Sequence, residues 1–481
     1  VIAQVARPPA ATPVAPSRQA IDARLRQLEA DHGLLEYEVD GWCVWPLVRF
    51  SVDAAHYGDR PSARRNTLSL TQQLACAVRD LPALAGLPRS RLATVTYASN
   101  RSDERDGRFQ DVFFDPLLAE LGAFYKIEHV DNVGFLTQRR HALIPADMTT
   151  AAFDLAASAL ARLPGPRGTD GVAAGLHAAL QAGLGDAPLS RQQLALLLRR
   201  FVWLKGGYGA LLRRLRPRHL LLVSAYADHA LVAAAKEQGI EVIELQHGVL
   251  DRYHSGYSWP AEARRHKARM PIPDRLWLYG RYWAEELAAN GFWGDALRLV
   301  GSLRLDAYRQ HRSEPDEDAY TVVLTSQGWA VDAVAAFLRS FLELAEHEPP
   351  WRLVIKLHPG ERSRAPYEAA LSGYPMVTVV SSAQPPSTFQ LLCQAHVHVS
   401  ISSTCHFEAL GLGVPTVILP FEGHEMVDHL GATGYAERVE SPAELWAAVA
   451  RWRDRRVPEH IGHRFFEPNA LPTMMRELGY A

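Results

Sequence analysis

Three stretches in the second half of the chain end apolar, strand-like runs in residues suited to holding a phosphate. In LVIKLHPGE the run delivers Lys356, His358, Pro359 and Gly360. Proline stops the strand there, and the loop can turn beneath a ligand with His358 as a donor to a phosphate or carboxylate oxygen. The bland alternative is a strand-end histidine bonded to a backbone carbonyl. In VSISSTCHFEALGLG a strand gives way to a helix through Ser402, Ser403 and Thr404. One hydroxyl suffices to cap a helix, so three in a row are a surplus that an anion at the helix start would use. Glu408, one turn on, is placed to accept bonds from ribose hydroxyls. The third stretch, VVLTSQG, ends in Ser326, Gln327 and Gly328 and opens onto the same edge.

The first half offers a different constellation. VIELQHGVLDRYHSGY runs an apolar strand into Gln246, His247 and Gly248, with His254 and Tyr257 beyond. A metal site, a catalytic histidine and a simple tight turn are all open on the local pattern. Neither His247 nor His254 has a carboxylate or thiol at ligand spacing, which disfavours the metal. Gln246, His247 and Tyr257 are then binding groups presented by a turn, with His247 also a candidate catalytic group.

Other patterns point elsewhere only weakly. HEMVDH spaces His424 and His429 five apart, off a common helical face, so it is not the zinc-protease pair. HVHV puts His396 and His398 on one strand face near Cys393 and Cys405, where buried, hydrogen-bonded histidines account for them better than a metal. Asp316-Glu317-Asp318 falls in a polar acidic stretch and reads as a solvated charge run. The chain has no GxGxxG, Walker loop or GxSxG, which removes the main support for dehydrogenase, kinase-type NTPase and α/β-hydrolase chemistry.

These groups need elements to position them. Hydrophobic residues at 48% with 22% charged are those of a globular protein, and 481 residues exceed one ordinary core. With 51 basic against 53 acidic residues there is no surplus for wholesale nucleic-acid binding, so an anionic ligand must be held locally. Four scattered cysteines without CxxC fit a reducing cytoplasm. The Ala/Pro-rich start is not a signal peptide, and no apolar run reaches the length of a spanning helix. RFVWLKGGYGALLRRLRPRH, at 200–219, mixes aromatic, leucine and basic side chains, so peripheral contact with an anionic inner membrane is one reading and a buried helix with a basic rim the other.

Strand runs alternate with amphipathic helices from Arg91 to about residue 310, and the rhythm restarts at Tyr320 after the polar stretch 306–320. Such alternation predicts βαβ units and parallel sheets, an α/β fold. LEYEVDGWCVWPLVRFSV reads as a hairpin or an extended segment. The expected division is an N-terminal arm and helical extension over 1–90, a first α/β domain over 91–310, a second over 320–440, and a C-terminal helix and tail over 441–481. Ligands in open parallel sheets sit beyond the carboxyl ends of the strands, which is where the motifs fall.

A His-Pro at one strand end followed by a Ser-Ser/Thr cluster opening a helix resembles the nucleotide-sugar transferases of GT-B architecture. The pattern is most similar to bacterial sialyltransferases and capsule Kdo transferases, with a comparable pair in CDP-glycerol transferases. The resemblance implies two Rossmann-like domains, the first (91–310) for the acceptor and the second (320–440) for the nucleotide-sugar donor. It also implies a nucleotide-sugar substrate, with a CMP-activated acidic sugar preferred over a UDP-sugar or CDP-polyol, and a surface glycan or lipid-linked glycan acceptor, without cofactor or metal. His358, Ser402, Ser403 and Thr404 would contact the donor phosphate, and Gln246, His247 and Tyr257 of the first domain the sugar or acceptor. Ser400 stands where many retaining relatives carry a second glutamate, which favours inversion and asks for a general base. Bacterial sialyltransferases place an acidic pair before a glycine in their first domain. Arg105-Asp106-Gly107 is a partial match that makes Asp106 the expected base, with Arg101, Arg105 and Arg108 to hold an anionic acceptor. A sugar-nucleotide 2-epimerase and a non-catalytic nucleotide- or glycan-binding subunit are the rival readings.

Overall fold

The computed structural model describes residues 17–57, 68–87, 94–98, 102–105, 107–129, 139–166, 168–310, 320–345, 351–361, 363–382 and 384–480. It begins with helix α1 (Arg18–His32), a short hairpin of β1 (Glu38–Val39) and β2 (Trp42–Cys43), helix α2 (Trp45–Tyr57) and helix α3 (Leu70–Ala85). The sequence expectation of extended structure over 35–52 holds only for the hairpin. Trp45, Val48 and Val52 are buried at helical spacing and Pro46 sits in the first turn, where its missing N–H costs nothing, so the stretch folds as α2.

The first sheet is parallel throughout. Its strands are β3 (Thr94–Ala98), then, after a separate antiparallel hairpin of β4 (Ser102–Arg105) and β5 (Arg108–Asp111), β6 (Phe124–Glu128), β7 (Met148–Thr149), β8 (His219–Leu222), β9 (Glu241–Leu245), β10 (Arg275–Leu278) and β11 (Leu297–Leu299). Their order is β11-β10-β9-β8-β3-β6-β7. The second sheet holds β12 (Tyr320–Thr325), β13 (Trp351–Lys356), β14 (Val377–Val380), β15 (Val397–Ser400), β16 (Thr416–Ile418) and β17 (Ala436–Arg438), in the order β14-β13-β12-β15-β16-β17. All of its pairings are parallel too. Every residue of β8 and of β12 is buried, as strands covered by helices on both faces must be. Each sheet winds outward in both directions from its first strand. The reversal falls between β3 and β8 in one and between β12 and β15 in the other, and beside such a reversal the strand ends leave a crevice.

The N-terminal region is not a free appendage. Leu25, Leu28, Trp45 and Val48 share a core with Leu250, Trp259 and Leu276 of the first domain. The fully buried Arg49 pairs with Glu29 at 2.5 Å and lies 4.5 Å from the Trp259 ring. At the other end the chain crosses back. Helix Pro442–Trp452 packs on the second sheet through Leu445 and Val449, whereas helix Ala470–Glu477 places Met474 against Phe114, Leu221 and Trp277 of the first. The polar stretch after residue 305 is also part of the fold at its start. Helix Leu303–Gln310 includes Asp306, whose carboxylate accepts from the Ala470 N–H at 2.7 Å. Asp316, Glu317 and Asp318 lie outside the described residues. Among the described residues no helix is long and apolar enough to cross a membrane.

Candidate active site

A cleft of about 2120 Å³ runs between the carboxyl ends of the two sheets. On the second-domain side it is built at the β12/β15 reversal. Gln327, the His358–Gly360 turn, Ser402, Ser403, Thr404 and Glu408 all line it. The His358 turn is braced from below. The His358 N–H donates to Ser326 Oγ at 2.8 Å, and that hydroxyl donates to Glu361. Gly360 N–H donates to His358 Nδ1 at 3.0 Å, which places the proton of the neutral imidazole on Nε2. Burial lowers the His358 pKa, so the ring stays neutral at pH 7 and offers Nε2–H as a donor. Gly328 has φ +78°, a left-handed conformation that favours glycine, whereas a Cβ there would make only ordinary contacts with Glu361 and His358 at 3.5 and 3.8 Å.

Ser402 Oγ reaches Gln327 Oε1 at 3.5 Å and Ser403 Oγ accepts the Cys405 N–H at 3.1 Å. Thr404 is the N-cap residue of helix Cys405–Gly411 but makes no side-chain capping bond. Of the three hydroxyls, then, only that of Ser403 takes up a helix N–H, and that of Thr404 is exposed at the cleft wall.

Two second-domain expectations need correcting. Lys356 does not line the cleft. It is 3% exposed, and its ammonium donates to the carbonyls of Ser381, Gln384 and Pro386 at 2.9, 2.6 and 2.9 Å. Three carbonyls satisfy its three donors, so Lys356 holds the 381–386 loop and not a phosphate. Ser326 is likewise a brace beneath the His358 turn. The HVHV histidines are structural: His398 is bonded by Thr325 and Thr416 at 2.8 Å each, and His396 Nδ1 accepts the Thr321 N–H at 3.0 Å. Among the described residues no group of His, Cys, Asp or Glu could hold a metal ion.

Facing these groups, the first domain contributes His247, Tyr226 and Asp228, with Phe50 from α2. His247 stands at the end of β9, its side chain 9% exposed and its Nε2 3.3 Å from Tyr226 Oη. The Tyr226 ring lies 4.7 Å from that of Phe50. Behind His247 is a carboxyl that the sequence reading missed. Glu244 is 0% exposed, and its Oε1 lies 4.0 Å from His247 Nδ1. The same oxygen accepts from Ala225 N–H at 3.2 Å and from the Tyr257 hydroxyl. Burial pushes the Glu244 carboxyl up to about 8, the bonds from Tyr257 and the backbone opposing it, so the group carries its proton at neutral pH. The signal was available, because an acidic residue inside an otherwise apolar central strand must have a partner.

Gln246 and Tyr257 are not sugar contacts in this arrangement. Gln246 is 1% exposed, with its amide donating to Gly248 O and accepting from Tyr279 N–H, both at 2.8 Å, which ties neighbouring strand ends together. Tyr257 is 1% exposed beneath Tyr226. Of the acidic loop, Asp103 and Glu104 line the cleft, and Asp103 is paired with Arg304 at 2.5 Å. Arg304 in turn lies 3.9 Å from the Phe389 ring of the second domain. Asp106 and Arg101 lie outside the described residues, as does the side chain of Arg105.

No protein-family model matches the chain, and no curated protein matches its sequence. Solved structures do match its fold. A putative UDP-N-acetylglucosamine 2-epimerase from Listeria monocytogenes aligns with a TM-score of 0.50 at 13% identity, over 81% of this chain and 95% of that one. The UDP-GlcNAc 2-epimerase of Methanocaldococcus jannaschii gives 0.50 at 12%, over 81% and 99%. MurG of Acinetobacter baumannii gives 0.46 at 13%, over 82% and 100%. The architecture is the GT-B arrangement of two Rossmann-like domains, here with a helical N-terminal region. At these identities the likeness is one of fold.

Proposed function

We propose that this chain is a glycosyltransferase that moves a sugar from a nucleotide donor to an acceptor hydroxyl. The observation that carries the reading is a cleft in which donor-type groups at the β12/β15 reversal face His247. A proton acceptor and a phosphate-holding turn on opposite walls suit a displacement at a carbon between them. In the reaction the acceptor hydroxyl gives its proton to His247 Nε2 as its oxygen bonds to the anomeric carbon. The bond from that carbon to the phosphate oxygen breaks, and the electron pair leaves with the nucleotide. His358 Nε2–H and the 402–404 turn meet the charge that develops there. Glu408 sits one turn into the helix, within the same wall, to receive ribose hydroxyls. Glu244 lies behind the imidazole, 4.0 Å from Nδ1, as a neutral acid that carries no charge to offset the cationic ring. Asp106 remains the alternative base.

The preference for a CMP-sugar rests on the His-Pro and hydroxyl-cluster resemblance alone, since a likeness of fold does not choose the base. Thermal-shift measurement with CMP, CDP, UDP and GDP tests the donor wall. Stabilisation by at least one of them, lost in His358→Ala with the unliganded melting temperature unchanged, is expected. If no nucleotide stabilises the protein, the donor assignment fails. His247→Ala should retain nucleotide binding while turnover falls by about 10²–10⁴-fold, the usual contribution of a general base.

An epimerase reading shares the fold and asks the same histidine to move a carbon-bound proton. Proton NMR of a UDP-sugar incubated with the protein distinguishes the two, because an epimer forms without any acceptor whereas transfer requires one.

A further inference from the structure

A row of exposed hydrophobic side chains lies away from the cleft, on α3. Leu70, Leu74, Val78 and Leu81 are 64, 47, 64 and 55% exposed, four of the ten large hydrophobic side chains that are so. At 3.6 residues per turn they fall within an arc of about 80°, one continuous stripe along the helix. The opposite face is fixed to the first domain. Cys76 is buried, and Asp80, 1% exposed, accepts from Thr149 N–H at 2.7 Å and Arg139 at 3.1 Å. The helix is therefore anchored by one face while its more apolar face meets water, the reverse of ordinary surface patterning.

The charge around the stripe identifies its occupant. Asp80 is the only acidic residue of α3, and it is buried and paired. Arg79 and Arg140 are exposed, and Arg214 donates to Leu87 O at 3.4 Å just past the helix end. A second copy docking on this face would set arginines against arginines with no exposed carboxylate of α3 to pair them. Anionic headgroups surrounding an apolar layer match both features.

We infer that the α3 stripe docks this protein on an anionic lipid surface, with Leu70, Leu74, Val78 and Leu81 entering the headgroup boundary and Arg79 and Arg140 pairing with lipid phosphates. The stretch 200–219, the other membrane candidate, does not serve this purpose. Phe201, Leu204, Tyr208, Leu211 and Leu212 are buried in helix Arg191–Leu215. The inference stands independently of the reaction proposed above.

The test is co-sedimentation of the full chain with phosphatidylcholine vesicles, with and without phosphatidylglycerol. Binding should require the anionic lipid, weaken with added salt, and fall at least about tenfold in Leu74→Glu/Val78→Glu. That variant alters exposed side chains only, so its circular-dichroism melting and nucleotide response should match those of the parent. Failure to sediment with either vesicle would overturn the inference, as would equal sedimentation of parent and variant. A dimer in light scattering that the variant dissociates, with no vesicle binding by the parent, would assign the stripe to a second copy instead.

Discussion

At the scale of single residues, Glu244 shows how much a strand interior can hide. It was legible as a letter, inside the run Val242 to Leu245, but nothing local says that Tyr257 and Ala225 would both converge on it. The consequence is a pH dependence of known sign. The folded carboxyl titrates at about 8 against a reference value of 4.5, so between those values the folded state holds a proton that the unfolded state has lost. Its stabilising contribution is complete below the unfolded pKa and disappears as pH rises through the folded one. Glu244→Gln removes that dependence. In urea titrations the variant should gain on the parent from pH 4.5 to 8, by a difference on the order of 5 kcal/mol at the upper end. Asp111, pushed up to about 7 by burial, titrates in both proteins and cancels in the difference. Parallel curves across this range would show that the carboxyl ionises freely where it lies.

At the scale of elements, the sequence was most readable where strands end in small or hydroxylated residues. His358, Ser402, Ser403, Thr404 and Glu408 reach one wall because parallel strands all release their carboxyl ends on the same edge. Residue type said less about which side chain faces the ligand. Lys356 looked like a phosphate ligand because a lysine at a strand end usually has water or an anion to meet, whereas here the 381–386 loop folds over it. Ser382, Gln384 and Pro385 of that loop line the cleft, so Lys356 shapes the donor wall without touching it. Lys356→Met keeps the length and leaves three carbonyls without their donor. The expected cost is about 3 kcal/mol, with nucleotide affinity falling as the loop loosens. A variant as stable as the parent, but unable to bind nucleotide, would return Lys356 to the ligand. Phe50 was unreadable for another reason: its place beside Tyr226 depends on α2 docking against a core formed two hundred residues later.

At the scale of the whole molecule, the α/β alternation revealed two sheets but not how the chain joins them. After helix Pro442–Trp452 the backbone passes from the second domain to the first, and it does so close enough to demand glycines. A Cβ on Gly301 would stand 2.3 Å from Glu467 O, at a φ of +82°, and one on Gly280 would stand 2.5 Å from the Phe465 carbonyl carbon. Trp283 seals the crossing by donating to Phe465 O at 2.8 Å. None of these contacts has a local sequence signature, because each joins a strand end, or the helix that follows it, to a segment more than 150 residues away. Gly301→Ala tests the joint directly. The new methyl collides with backbone that cannot yield cheaply, and the residue must hold a left-handed conformation, which together should cost about 2–3 kcal/mol. That cost falls on the docking of residues 467–478 against the first sheet, while the β12/β15 wall and its braces are untouched. Thermal unfolding should therefore lose cooperativity, with proteolysis beginning after residue 455, while the isolated response to nucleotide persists. A single, undisplaced transition would mean that the C-terminal segment contributes nothing to holding the two halves of the cleft in register.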